Sequence, residues 1–323
     1  MQKQLLDLGE SEMNWSSVSR LELQNRKMRA VIPLCTVKGK RGKKILITAG
    51  YHGLEHSGIT IAYKLFDFLK HARHLNGEIT IVPIVNVNGV RAETRGNPMN
   101  GKVVSACYQG RGKDSLSDKI ALEIWKTAKQ SDCVLDLHSA GYARYLQHAI
   151  FCDRRVIPLV RTFGFDFAIR RTEGKEGRGV GLIGEASRSG ILACALELGG
   201  GHVVFLDDVE SGLSAILNFL RSIECLPLAG EIPLTPSSRI YMHDARVFAR
   251  SPVDGVVYLE RRLGEIVSSG EALATCIDLD GYRRQRLKSP ASGKVIYLRT
   301  KARIGCKETV AMILPWKSKI HIR

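Results

Sequence analysis

Short apolar runs of strand length open the chain, and a longer helical spacing follows them. Residues 31–37 and 44–49 are β-rich, and residues 78–85 form a third such run, bounded by Asn76-Gly77 and Asn86-Val87-Asn88-Gly89. Between the last two, Ile59, Ala62, Tyr63, Phe66 and Leu69 recur at helical spacing, which predicts a helix over residues 58–70. Strand, helix and strand in that order predict a right-handed crossover in an α/β sheet. A second helix is expected over residues 116–129, leading into a strand at 133–137. Strands are expected at 146–152 and 191–197, and a closing helix at 208–222.

Residues 226–238 contain Pro227, Pro233, Pro236 and Gly230 and show neither period. This divides the chain into an expected α/β domain over 1–228, a linker over 229–239 and a β-rich domain over 240–323. The last part carries an internal repeat: Ser251-Pro252-Val253-Asp254-Gly255-Val256-Val257-Tyr258-Leu259 returns as Ser289-Pro290-Ala291-Ser292-Gly293-Lys294-Val295-Ile296-Tyr297-Leu298. Two copies of a short β unit predict a pseudo-twofold sandwich or barrel. The segment resembles the barrel-sandwich hybrid of biotinyl and lipoyl domains. It has Asp278-Leu279-Asp280-Gly281 where those carriers place a modifiable lysine, so a structural or gating appendage is expected instead.

At 323 residues the chain has room for one full core and a smaller second one. No run approaches 18 apolar residues, and Met1-Gln2-Lys3-Gln4-Leu5-Leu6-Asp7 lacks the pattern of a signal peptide, so a cytoplasmic protein without membrane contact is expected. Eight dispersed cysteines, none in a C-x-x-C pair, read as reduced and buried thiols. The net charge is +16, and residues 239–323 hold 17 Lys and Arg against 8 Asp and Glu, a surface that would attract anionic partners. Only Tyr282 stands beside Arg283, Arg284, Arg286 and Lys288 to stack on a base, which speaks against nucleic acid.

Candidate chemistry lies at the ends of predicted strands. His52 and Glu55 follow the run 45–49 in a loop that Gly50 and Gly53 let turn sharply, and His138 ends the run 133–137. Two imidazoles and a carboxylate brought together at the carboxyl ends of an α/β sheet could hold a catalytic zinc ion with one position left open. On spacing alone H-x-x-E is a common chance pattern, and a lone histidine is more often a hydrogen-bonded residue than a ligand. Gly174-Lys175-Glu176-Gly177-Arg178-Gly179 lacks the Lys-Ser ending of a phosphate loop and reads as a loop near the active site.

Taken together, Gly50-Tyr51-His52-Gly53-Leu54-Glu55-His56-Ser57-Gly58, Asp136-Leu137-His138-Ser139 and Glu197-Leu198-Gly199-Gly200 resemble the motifs of the succinylglutamate desuccinylase and aspartoacylase family of zinc carboxypeptidase-like hydrolases. The resemblance runs from about residue 43 through the C-terminal part. It implies a mixed-sheet, three-layer α/β catalytic domain with a small all-β, barrel-sandwich-like domain after it. It also implies one Zn2+ per chain held by His52, Glu55 and His138, with Glu197 as general base and acid, and Arg95 polarising the scissile carbonyl. Arg91 is the rival of Arg95.

The next segment departs from the family. Where relatives place an Asn-Arg pair that clamps a substrate carboxylate, this chain has Ser105-Ala106. Candidate substrate contacts there are Arg91, Lys102, Ser105, Tyr108 and Arg111, and Lys113 is a further source of charge. The expected activity is zinc-dependent hydrolysis of a small-molecule amide, with an anionic substrate allowed, in the manner of N-deacylation of an amine or amino-acid derivative. A carboxypeptidase-like peptide hydrolase is the second reading. A catalytically silent protein that binds an anionic partner is the third. Self-association is left open.

Overall fold

Two long strands, β1 (Trp15–Asn25) and β2 (Met28–Lys38), pair antiparallel along their whole length at the start of the described chain. The computed structural model describes residues 15–25, 28–109, 115–171, 181–228, 239–242, 245–316 and 319–320. Next come β3 (Lys40–Ala49), α1 (His56–Lys70), β4 (Asn76–Val82), the short α2 (Val87–Arg91), a 3-10 turn over Val104–Gln109, and α3 (Leu116–Ala128). They lead into β5 (Cys133–Ala140), β6 (Ala143–Tyr145), β7 (His148–Phe151), α4 (Ile157–Val160) and β8 (Phe167–Arg170). Helix α5 (Gly181–Arg188), β9 (Leu192–Gly200) and α6 (Leu206–Ser222) follow.

Strand β3 lies parallel to both β4 and β5, and β5 lies parallel to β9, which gives the expected crossover. Alternation along β3 explains its continuous apolar run. Ile45 and Ile47 pack with Ile61, Leu65 and Leu69 of α1 and Ile216 and Leu220 of α6, whereas Leu46 packs with Ile120 and Ile124 of α3 and Leu182 of α5. A strand covered by helices on both faces has no polar side to show. The sheet is mixed, because β2 joins β4 antiparallel on one flank and β6 and β7 join β9 antiparallel on the other.

Several boundaries differ from the sequence reading for local reasons. The run expected over 78–85 ends as a strand at Val82, since Pro83 has no N–H to give a ladder. Helix α6 begins at Leu206, and Asp207 and Asp208 sit in its first turn, where a negative charge suits the exposed N–H groups. Strand β1 went unpredicted because Ser16, Ser17 and Ser19 interrupt its apolar alternation.

Among the described residues the C-terminal segment is built from strands: β10 (Arg239–Met242), β11 (Val247–Arg250), β12 (Gly255–Leu259), β13 (Ile266–Val267), β14 (Ala272–Asp278), β15 (Arg284–Lys288), β16 (Gly293–Arg299), β17 (Arg303–Ile304), β18 (Thr309–Pro315) and β19 (Lys319–Ile320). The two repeat copies enter different sheets. Strand β12 lies in a four-stranded sheet with β14, β15 and β17, while β16 joins the large sheet beside β18. Both copies open on the same turn, in which Ser251 donates to the Val253 carbonyl at 2.8 Å and Ser289 to that of Ala291 at 2.7 Å. Leu273 of the smaller sheet packs on Val295 and Ile313 of the larger. Pairing of β16 with β6 and of β10 with β8 continues the sheet that carries β9 into this segment.

Residues 229–238 of the expected linker lie outside the described residues, as does the glycine-rich stretch 174–179. No helix among the described residues is long and apolar enough to cross a membrane. Among the described residues no cysteine is in a disulfide; five are buried as expected, whereas Cys107 and Cys152 are half-buried and Cys306 is exposed.

Candidate active site

The loop between β3 and α1 is shaped by its glycines. Gly50 takes a positive φ of 65°, and at Gly53 a Cβ would meet the Gly89 carbonyl oxygen at 2.0 Å, so only glycine lets the loop pass that close. Glu55 is the residue before the first turn of α1, yet its carboxylate makes no capping bond to the helix. It turns instead toward two histidines: its Oε1 is 2.6 Å from His52 Nδ1 and its Oε2 2.8 Å from His138 Nδ1. Ligand-capable atoms of His52, Glu55 and His138 all lie within 4.8 Å of one another.

Each imidazole is backed on its far nitrogen. His138 Nε2 is 2.9 Å from Asp136 Oδ2, whose other oxygen accepts from Thr48 Oγ1 at 2.8 Å, and His52 Nε2 is 3.2 Å from Ser105 Oγ. Both rings therefore turn Nδ1 inward. Tyr51, fully buried, stacks on His138 with ring centres 6.1 Å apart and hydrogen-bonds the hydroxyl of Tyr108.

Burial opposes the Glu55 charge, but the His52 and His138 imidazoles outweigh it and hold the carboxyl well below its ordinary range. Burial likewise works against a charge on His138, and the Asp136 and Glu55 carboxylates override it, raising its pKa well above the usual value. Two inward imidazole nitrogens and one ionised carboxylate, with the far nitrogens held by hydrogen bonds, form a donor set that fits zinc.

Glu197 stands opposite His138 in the β5–β9 register, which puts it beside the cluster. Its Oε2 is closed off from solvent and has no hydrogen-bond partner among the described residues. Burial pushes its pKa up to about 7, with Glu55 adding to the rise and His138, Arg246 and Arg95 opposing it. A carboxyl poised near neutrality can take up and return a proton. Arg95 is exposed, and its Nη1 lies 3.9 Å from Glu55 Oε1.

The other candidates divide. Ser105 and Tyr108 reach the cluster through His52 and Tyr51, while Ala106 is exposed. Lys102 is held 2.9 Å from Asp118, the acid of the capping box that starts α3. Arg91 is exposed and lines a groove with Met28, Arg29, Asn88, Pro98 and Met99. Arg111 and Lys113 lie outside the described residues.

Sequence reasoning passed over Asp136, although Asp-x-His on a strand puts both side chains on one face and could have exposed it. It also passed over residues of the C-terminal segment. Tyr297 of β16 packs edge-on against Tyr145 of β6 at 5.0 Å, and Arg246 lies near enough to Glu197 to oppose the rise in its pKa. At the rim, His202 lies 6.0 Å from the ring of His56 and 4.9 Å from that of Tyr142, over which Lys301 sits at 4.2 Å. No local pattern marks Tyr297 and Lys301, which are brought to Tyr145 and Tyr142 by the β6–β16 pairing.

Comparison with known proteins follows the same lines. The sequence profile of the succinylglutamate desuccinylase/aspartoacylase catalytic domain matches residues 41–223. The N-alpha-acetyl-L-2,4-diaminobutyric acid deacetylase of Halomonas elongata is 29% identical over 300 residues, covering 88% of this chain and 85% of that protein. Among solved structures, a succinylglutamate desuccinylase/aspartoacylase from Rhodobacter sphaeroides superposes with a TM-score of 0.80 at 21% identity, covering 96% of this chain and 98% of the other. The product-bound ectoine utilization protein EutE (DoeB) from Ruegeria pomeroyi does so with a TM-score of 0.80 at 22% identity, covering 95% and 97%.

Proposed function

The chain belongs to the succinylglutamate desuccinylase/aspartoacylase family, and from that premise we propose that it is a metal-dependent deacylase that hydrolyses the amide of a small N-acylated amine. The observation that carries the proposal is the convergence of His52, Glu55 and His138 beside a buried carboxylate oxygen of Glu197 that has no hydrogen-bond partner among the described residues. In this reading the first three residues would hold one zinc ion. When bound, zinc supplies a Lewis acid that polarises a carbonyl and brings the pKa of water down to about 7.

The chain's own residues do the rest. Glu197 Oε2 takes a proton from the attacking water and returns it to the leaving amine, a role suited to a carboxyl whose burial lifts it to about 7. Arg95, exposed at the mouth, offers its guanidinium to negative charge developing on the carbonyl oxygen, and one such donor is worth about 3 kcal/mol. Asp136 and Ser105 fix the two imidazole rings so that Nδ1 faces inward.

The acyl-amine reading is preferred to a carboxypeptidase-like one because Ser105-Ala106 offers no carboxylate clamp: Ser105 is engaged with His52, and Ala106 carries no donor. The Halomonas relative is a deacetylase of an acetylated diamino acid, which makes acetylated diamino acids the first substrates to try. The test is amine release from a panel of N-acyl amines and short peptides, with and without a chelator. Chelator-sensitive release from acyl amines alone supports the proposal; release from peptides alone, or none from either class, overturns it.

A further inference from the structure

One row of side chains runs across three neighbouring strands on the face of the sheet covered by α3 and α5. His138 of β5 stands opposite Glu197 of β9, and Glu197 stands opposite His148 of β7. Val134, Ala195 and Ile150, which keep step with these three along their strands, all pack in the core on that face. Side chains directly opposite each other on adjacent strands are neighbours, with Cβ atoms about 5 Å apart.

His148 is fully buried, and its two nitrogens are used unequally. Nδ1 lies 2.8 Å from the Leu146 carbonyl, which can only accept, so Nδ1 carries the hydrogen of the ring. Burial keeps the imidazole neutral, so Nε2 carries a lone pair, and it has no hydrogen-bond partner among the described residues. Glu197 Oε2 is likewise closed off and without a partner among them. The two groups share their surroundings: Tyr145 meets the His148 ring edge-on at 5.6 Å and feels the Glu197 charge, and the Arg246 charge acts on both. A lone pair and an ionised carboxylate are both acceptors and cannot bond to each other. Once Glu197 has taken a proton it is a donor, and Nε2 is the acceptor beside it.

We propose that His148 is a positioning residue for Glu197: its Nε2 accepts a hydrogen bond from the protonated carboxyl and holds it between the two proton transfers. The inference rests on the deacylase reading. The proton moves from the attacking water to Glu197 and then from Glu197 to the leaving amine, while His148 gains and loses none. Because the bond exists only while Glu197 is protonated, it acts on turnover and not on substrate binding. Phe167, stacked on the ring at 4.8 Å, and the Leu146 carbonyl hold the imidazole in place beforehand.

The test separates the two nitrogens. An asparagine amide can set its N–H where Nδ1 sits, and a glutamine amide oxygen can reach the place of Nε2. His148→Asn therefore keeps the bond to Leu146, and His148→Gln keeps the acceptor. In the zinc-loaded full chain acting on an acetylated diamino acid, kcat falls about tenfold in His148→Asn with KM within about twofold, and His148→Gln recovers kcat to within about threefold of wild type. A purely structural His148 gives the opposite order, since asparagine keeps the one hydrogen bond that the ring makes. A second measurement needs no turnover: the infrared carbonyl band of protonated Glu197, identified by its loss in Glu197→Gln, shifts in His148→Asn and returns in His148→Gln. That shift in a chain that hydrolyses no amide would support the pairing while overturning the deacylase reading. An asparagine variant as active as wild type, a glutamine variant no better than the asparagine one, or an unshifted band in His148→Asn would each overturn the proposal.

Discussion

Asp136 Oδ2 stands 2.9 Å from His138 Nε2, while the other nitrogen of that imidazole faces Glu55 at 2.8 Å. The buried carboxylate is itself held by Thr48, so one strand-end aspartate fixes both the direction and the charge of the ring. Replacing Asp136 with Asn keeps the size but removes the charge. Zinc affinity measured by chelator competition is expected to fall by about 10 to 100-fold. Ser105→Ala, which removes a neutral hydroxyl 3.2 Å from His52, costs less in the same measurement.

His148 gives the fold a sensitivity to acid. It is fully buried against Phe167, its Nδ1–H donates to the Leu146 carbonyl at 2.8 Å, and its Nε2 has no partner among the described residues. Burial, helped by the Arg246 charge, lowers its pKa to about 4 against the pull of that hydrogen bond. The unfolded chain takes up the proton near pH 6.5 and the folded one only near 4. Stability is therefore full above 6.5 and declines as pH falls toward 4, by about 3 kcal/mol in total. Urea titrations at pH 7 and pH 4.5 should show this loss in the wild type and a smaller loss in His148→Gln. Equal losses in both proteins would count against it.

Lys102 is expected to act on α3 and not on the substrate. Its ammonium is held by Asp118, which also receives bonds from Ser115 in the capping box. Lys102→Met should leave KM within about twofold and lower stability by about 1 kcal/mol or less, as for a partly exposed ion pair. A large rise in KM would assign Lys102 to the substrate instead.

Much of the central sheet was legible because its strands are buried on both faces and its helices on one, so that 45–49 and 58–70 declare their periods directly. The loop between β3 and α1 was legible for another reason: Gly50 and Gly53 mark a tight turn, and a histidine and a glutamate beside such a turn invite a common target. The joining of the C-terminal strands to the main sheet was not legible. The pairing of Tyr297 with Tyr145 links residues 152 positions apart, and no local pattern encodes a contact of that kind. The same limit hid the approach of Arg246 to Glu197. The role of Ser105 was obscured differently, since a serine in a variable segment signals nothing until His52 is seen beside it.

The central claim, hydrolysis by Glu197 next to a metal held by His52, Glu55 and His138, is tested most directly by measuring metal content and amine release side by side in the wild type and Glu197→Gln. The account predicts one equivalent of zinc in both proteins, with turnover of an acetylated diamino acid falling by about 10²–10⁴-fold in the variant. Undiminished turnover in Glu197→Gln, or a wild type that binds no metal and retains full activity, would contradict it.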